Sequence, residues 1–174
     1  MQLSQNNYQA SIDNELKLIE LDPNFGIAYD TLGLAYLKAG RRSEAVAALE
    51  KSAQLTGRYG LVLSDLGYAY AVTGKRAEAL AIIKELEERY TRQKADGINV
   101  AAVYAGLGDK DKAFEAITVL LLQWLDTFNC SGEAFEALQL LEATKDAILS
   151  ERFNEALTLL LGVLSKAEEV DGSR

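Results

Sequence analysis

Apolar and small residues follow two rulers along this chain. The short ruler has steps of three and four: Ile12, Leu16 and Ile19 share one helical face, and Leu49, Ile83 and Ile117 each stand four residues after Ala45, Ala79 and Ala113. The long ruler has a period of 34 residues. Tyr29-x2-Leu32-Gly33-x2-Tyr36 returns as Leu63-x2-Leu66-Gly67-x2-Tyr70 and, more loosely, as Val100-Ala101-x2-Tyr104. Gly40, Gly74 and Gly108 keep the same step, as do the three alanines. Independent helices lose register within a few turns, so four position sets in step predict a repeated pair of helices. The copies run 26–59, 60–93 and 94–127.

Each recurring position has a mechanical reason. Gly33, Gly67 and Ala101 are small enough for the second helix of a pair to come close, and Ala45, Ala79 and Ala113 are the small residues that meet them. Gly40, Gly74 and Gly108 end the first helix in a left-handed conformation. Leu49, Ile83 and Ile117 fill the core between copies, and the tyrosines pack across each pair. Residues 8–23 read as the second helix of a preceding copy, stopped by Pro23, so residues 1–25 form a partial repeat of an excised piece or a capping helix. Downstream, Ala156 lies nine residues beyond the period. That places an insertion at 128–136 and a divergent hairpin at 137–170.

These residues resemble the tetratricopeptide repeat, a helix–turn–helix unit of 34 residues. The resemblance implies an all-α fold, a right-handed α-solenoid of such hairpins forming a single domain over 1–174. Residues 104–114 are similar to the C-terminal repeat regions of bacterial multidomain signalling proteins.

Charge and composition narrow the function. Hydrophobic residues at 49% and charged residues at 25% describe a globular chain. Eighteen Lys and Arg against 26 Asp and Glu leave a net charge of −8, which disfavours nucleic acid and anionic membrane as partners. The apolar runs at 117–125 and 157–164 fall well short of the roughly 20 residues of a membrane span. The single cysteine, Cys130, and a start without basic and apolar signal regions fit a cytoplasmic protein. Without histidine, the Ser-His and Cys-His pairs are absent and so are His-bearing zinc sites. The expectation is no enzyme, no cofactor and no metal.

Several short patterns imitate chemistry. Residues 106–112 suggest a phosphate or calcium loop but lack Gly-Lys-Ser/Thr and a distal glutamate; the register already explains Gly108 and makes Asp109 a helix cap. Glu168-Glu169-Val170-Asp171 resembles a chaperone tail peptide, yet Gly172-Ser173-Arg174 follows it. Cys130 has no cationic cluster beside it in sequence to activate its thiol. Trp124 and Leu120-Leu121-Leu122 read as core between repeats rather than a partner surface. The acidic pairs Glu87-Glu88 and Glu168-Glu169 point about 100° apart on a helix and read as solvated faces.

The resemblance also implies a concave groove lined by the first helices. The family's binding places fall here on Ile27, Asp30, Leu34 and Lys38, on Leu61, Ser64, Tyr68 and Val72, and on Ala95, Ile98, Ala102 and Gly106. The Lys and Asn pattern that clamps a terminal carboxylate does not match Asp30, Leu34, Tyr68, Ile98 and Ala102, so chaperone tail peptides are not expected to bind. A mostly apolar groove with an aromatic anchor at Tyr68 suits the greasy face of a peptide or helix. Its occupant is a partner protein, the chain's own C-terminal helices, or a second copy in a homodimer. The expected function is a protein–protein interaction scaffold within a larger signalling protein, with a small acidic chaperone for an exported partner, or a homo-oligomerisation module, as the alternatives.

Overall fold

The computed structural model describes residues 2–93 and 97–128. The described residues form seven helices and no strand: α1 (Gln2–Leu21), α2 (Gly26–Lys38), α3 (Arg42–Leu55), α4 (Gly60–Val72), α5 (Arg76–Gln93), α6 (Gly97–Gly106) and α7 (Lys110–Phe128). The chain divides into two compact units, Met1–Leu107 and Gly108–Arg174. The expected insertion at 128–136, the hairpin at 137–170, Cys130 and the acidic tail lie outside the described residues, save Phe128, the last residue of α7.

In the first unit each helix packs on the next, from α1 to α6, and the first helices also meet one another, α2 with α4 and α4 with α6. Neighbour-on-neighbour packing of this kind is the all-α solenoid expected from the sequence. Its core holds the small and aliphatic residues of the 34-residue ruler: Ala45, Leu49, Ala79, Ile83 and Ala101 are all buried. Gly33 and Gly67 explain why the ruler needs glycine there. A Cβ on Gly33 would stand 2.5 Å from Leu49 Cγ; one on Gly67 would stand 2.6 Å from Val103 Cγ2 and 2.8 Å from Ile82 Cγ2.

The helix ends follow from the same glycines. Gly40 and Gly74 have φ of 77° and 83°. Arg41 N–H then donates to Tyr36 C=O at 2.8 Å, and Lys75 N–H to Tyr70 C=O at 2.8 Å, satisfying carbonyls that a helix end leaves open. After α3 the chain does this differently, with Gly57 at φ 66° and Arg58 at φ 61°. Arg58 Nε donates to Glu85 Oε1 at 2.9 Å, and Arg89 Nη1 donates to Arg58 C=O at 2.6 Å, tying this strained turn to α5. Pro23 follows the end of α1, as expected. Ile12 of α1 joins the core made with Leu32, Ala35, Tyr36, Ala45 and Ala48, Ile19 lies against it, and Leu16 sits at the exposed margin of the same face.

In the second unit, Gly108 has φ 73° and opens α7. Asp109 caps that helix, its Oδ1 accepting from Lys112 N–H at 3.3 Å. Ala113 and Ile117 are buried, four residues apart on one face.

Candidate functional site

The first helices α2, α4 and α6 carry the expected binding places, and the structure sorts them by exposure. Ile27 and Leu61, each in the first turn of its helix, are 51% and 56% exposed, and Tyr68 is 40% exposed. Lys38 is exposed, while Leu34, Val72, Ile98 and Ala102 are half-buried. Gly106 has the role of a seat: a Cβ there would stand 2.8 Å from Tyr68 Cδ2 and 3.0 Å from Ala71 Cβ, so its bareness lets the tyrosine ring lie across α6. Ser64 is buried, and its hydroxyl donates to Asn99 C=O at 3.2 Å, a tie between α4 and α6. Ala95 lies outside the described residues.

Asp30 behaves unlike its neighbours. It is only 8% exposed, and its buried Oδ1 accepts no hydrogen bond from an amide, a hydroxyl or a cation among the described residues. The group facing it within hydrogen-bonding reach is another carboxyl, that of half-buried Asp65 on α4. Burial, the charge of Asp30 and the hydrogen bond between the two push Asp65 up to about 7. Burial also raises Asp30, while the bond from Asp65 opposes that rise. Both carboxyls are thus held above the ordinary range by burial, and they titrate as a coupled pair. Asp65 escapes a residue-by-residue transfer of the family's four binding places. Its signal in the sequence is a separation of one repeat plus one residue from Asp30, together with the spacing of Leu61, Asp65, Tyr68 and Val72 along a single helical stripe.

The tyrosines of the ruler do structural work on the flanks of this face. Tyr70 hydroxyl donates to Glu50 Oε1 at 2.8 Å, joining α4 to α3, and burial with that carboxylate pushes its phenol up to about 12. Tyr36 is buried with the Arg41 guanidinium 4.3 Å from its ring centroid.

A family model for the tetratricopeptide repeat matches residues 27–59, the α2–α3 hairpin and the turn after it. That match, with the six helices of the first unit each packed on the next, fits a tetratricopeptide-repeat protein. No curated protein matches it. Tetratricopeptide repeats are an interaction fold that mediates contacts between proteins rather than catalysis. Among the described residues no helix is long and apolar enough to cross a membrane, and no three His, Cys, Asp or Glu side chains gather as a metal ligand set.

Proposed function

We propose that this tetratricopeptide-repeat protein is a non-enzymatic scaffold that captures an apolar peptide or helix of a partner protein on the face formed by α2, α4 and α6. The observation that carries this reading is the row of large apolar side chains left in solvent on the first helices, Ile27, Leu61 and Tyr68. Stability alone favours burying such groups, since each is worth about 1.5–3 kcal/mol when removed from water. Apolar anchors spaced along a groove are the usual means of holding the greasy face of a helix. Tyr68 is the central anchor, being amphipathic and set against the backbone of α6 at Gly106.

The test is capture of partner protein from the source cell by the wild-type chain and by the Tyr68→Ala/Leu34→Ala double variant. Both side chains lie outside the fully buried core, so helical circular dichroism should be unchanged while capture falls. Equal capture by a folded double variant would reject this face as the binding surface.

A further inference from the structure

We propose that the turn between α3 and α4 is a sprung hinge, latched by Arg58, Glu85 and Arg89, and that the latch sets the width of the groove between α2 and α4. This rests on the reading of the α2–α4–α6 face as a peptide groove and names what regulates it.

The first support is strain held from outside. Arg58 is the one non-glycine residue with positive φ among the described residues, at 61°, and it follows Gly57 at 66°. A side chain disfavours that region, so the conformation persists only where its surroundings impose it. The backbone ties the turn to α3, with Arg58 N–H donating to Ala53 C=O at 2.9 Å. Side chains tie it to α5. Arg58 donates to both oxygens of Glu85, Arg89 Nη2 donates to Glu85 Oε1 at 2.8 Å, and Arg89 Nη1 returns to Arg58 C=O at 2.6 Å. The ring of contacts closes on the strained residue itself and bridges the two hairpins. The matching link between α1 and α2 is self-supporting. Pro23 fixes its own φ, Asn24 N–H donates to Asp22 Oδ1 at 3.0 Å, and Phe25 N–H donates to Asp22 C=O at 3.1 Å. One period later, Asp22-Pro23-Asn24 has become Thr56-Gly57-Arg58.

The second support is the unequal packing on either side of α4. Toward α6 it is joined at three levels, by Ser64 to Asn99, by Gly67 against Val103 and by Tyr68 across Gly106. Toward α2 it meets its neighbour over a much shorter stretch, and Gly33 turns its bare side to Leu49 and Ala45 of its own hairpin. The α3–α4 seam is pinned by Tyr70 and Glu50 at 2.8 Å. The α2–α3 hairpin therefore turns on that seam against a block of α4, α5 and α6. Turning moves Ile27 and Leu34 on α2 relative to Leu61 and Tyr68 on α4. The side chains of Arg58, Arg89 and Glu85 are 44%, 37% and 28% exposed, so water and ions reach the latch. An unlatched turn spreads over several groove widths. Only a fraction of them fits a given ligand, and apparent affinity falls by that fraction.

The test uses the full chain carrying Cys130→Ser and spin labels at exposed positions. Lys38→Cys with Ala81→Cys reads across the hinge, and Lys38→Cys with Lys51→Cys reads within the first hairpin. Pulsed electron–electron resonance should give one narrow distance for each pair. Adding Glu85→Ala should broaden the first distance and leave the second unchanged. The affinity probe is a twelve-residue peptide selected on the unlabelled wild type from a random displayed library. Glu85 lies on α5, away from the first helices, yet Glu85→Ala should weaken this peptide roughly tenfold. Thr56→Asp/Gly57→Pro/Arg58→Asn, which copies the self-supporting link, should restore a narrow distance in the Glu85→Ala background. An unchanged distance in Glu85→Ala, even with a lower thermal midpoint, would overturn the hinge and leave the groove intact. So would broadening that the copied link does not cure, since the motion would lie elsewhere. A broadened distance with unchanged peptide affinity would overturn control of the groove by the latch. If no peptide were selected on wild type, the groove would fall, and the latch's control of it too, whatever the distances showed.

Discussion

The helix pairs α2–α3 and α4–α5 are built on one plan, and their differences separate what the fold needs from what a ligand would meet. Both place a glycine where helices touch, a fully buried alanine in the second helix, and a left-handed glycine at the end of the first helix. The outward places diverge. Where the first unit has Asp30 and Leu34, the second has Ser64 and Tyr68 at the same steps. Ser64 spends its hydroxyl on Asn99 of α6, whereas Asp30 meets Asp65 of α4. The interior is thus held to one solution by close packing, while the first-helix surface varies freely between copies.

The hardest blow to that equivalence is overpacking the shared interior. Ala45 and Ala79 are both fully buried, so Ala45→Leu and Ala79→Leu should each cost about 1–3 kcal/mol. The two thermal midpoints should fall by similar amounts. A midpoint that held in one copy would show that the two interiors are not equivalent.

The repeat interior was readable from sequence because its constraint is periodic: a side chain that touches the next copy must recur every 34 residues, and small residues at Gly33 and Gly67 announce close contact directly. The ends were readable because Gly40, Gly74 and Pro23 act through their own backbone geometry. The carboxyl pair was not. Asp30 and Asp65 are non-equivalent places in different copies, so the 34-residue period does not align them; only their offset of one repeat plus one residue hints that they meet between α2 and α4. Adjacent acids such as Glu87 and Glu88 are conspicuous in sequence yet lie exposed on α5. Arg58 is a similar case, since nothing local announces a non-glycine residue at φ 61°, held by Glu85 and Arg89 from the next hairpin.

An intermediate effect separates the two copies by pH. The folded Asp65 carboxyl sits at about 7, above the ordinary carboxylate value of about 3.9 that it takes when unfolded. Between these values the folded state holds more protons than the unfolded one, so stability declines as pH rises and the loss is complete only above 7. Asp65→Asn abolishes the repulsion. It should stabilise the protein by on the order of 1–2 kcal/mol at pH 8 and have little effect near pH 4. Thermal melts at the two pH values check this. Ser64→Ala breaks a neutral tie to α6 instead, and should give a loss of similar size at both values.

The smallest effect distinguishes the tyrosines that mark the same step of each copy. Tyr70 is held by its hydroxyl, which donates to Glu50 Oε1 at 2.8 Å between the copies. Tyr36 is held by its ring, with the Arg41 guanidinium 4.3 Å from the centroid. Phenylalanine removes the first contact and keeps the second, because the charge–quadrupole attraction belongs to the ring. Tyr70→Phe should therefore cost about 0.5–1.5 kcal/mol, and Tyr36→Phe only a few tenths. A double-mutant cycle of Tyr70→Phe with Glu50→Ala should recover most of the Tyr70 loss as coupling, since the two residues share one bond. Equal losses at both tyrosines would mean that the step is maintained by hydroxyl bonding in each copy. The ring contact of the first copy would then have no energetic role.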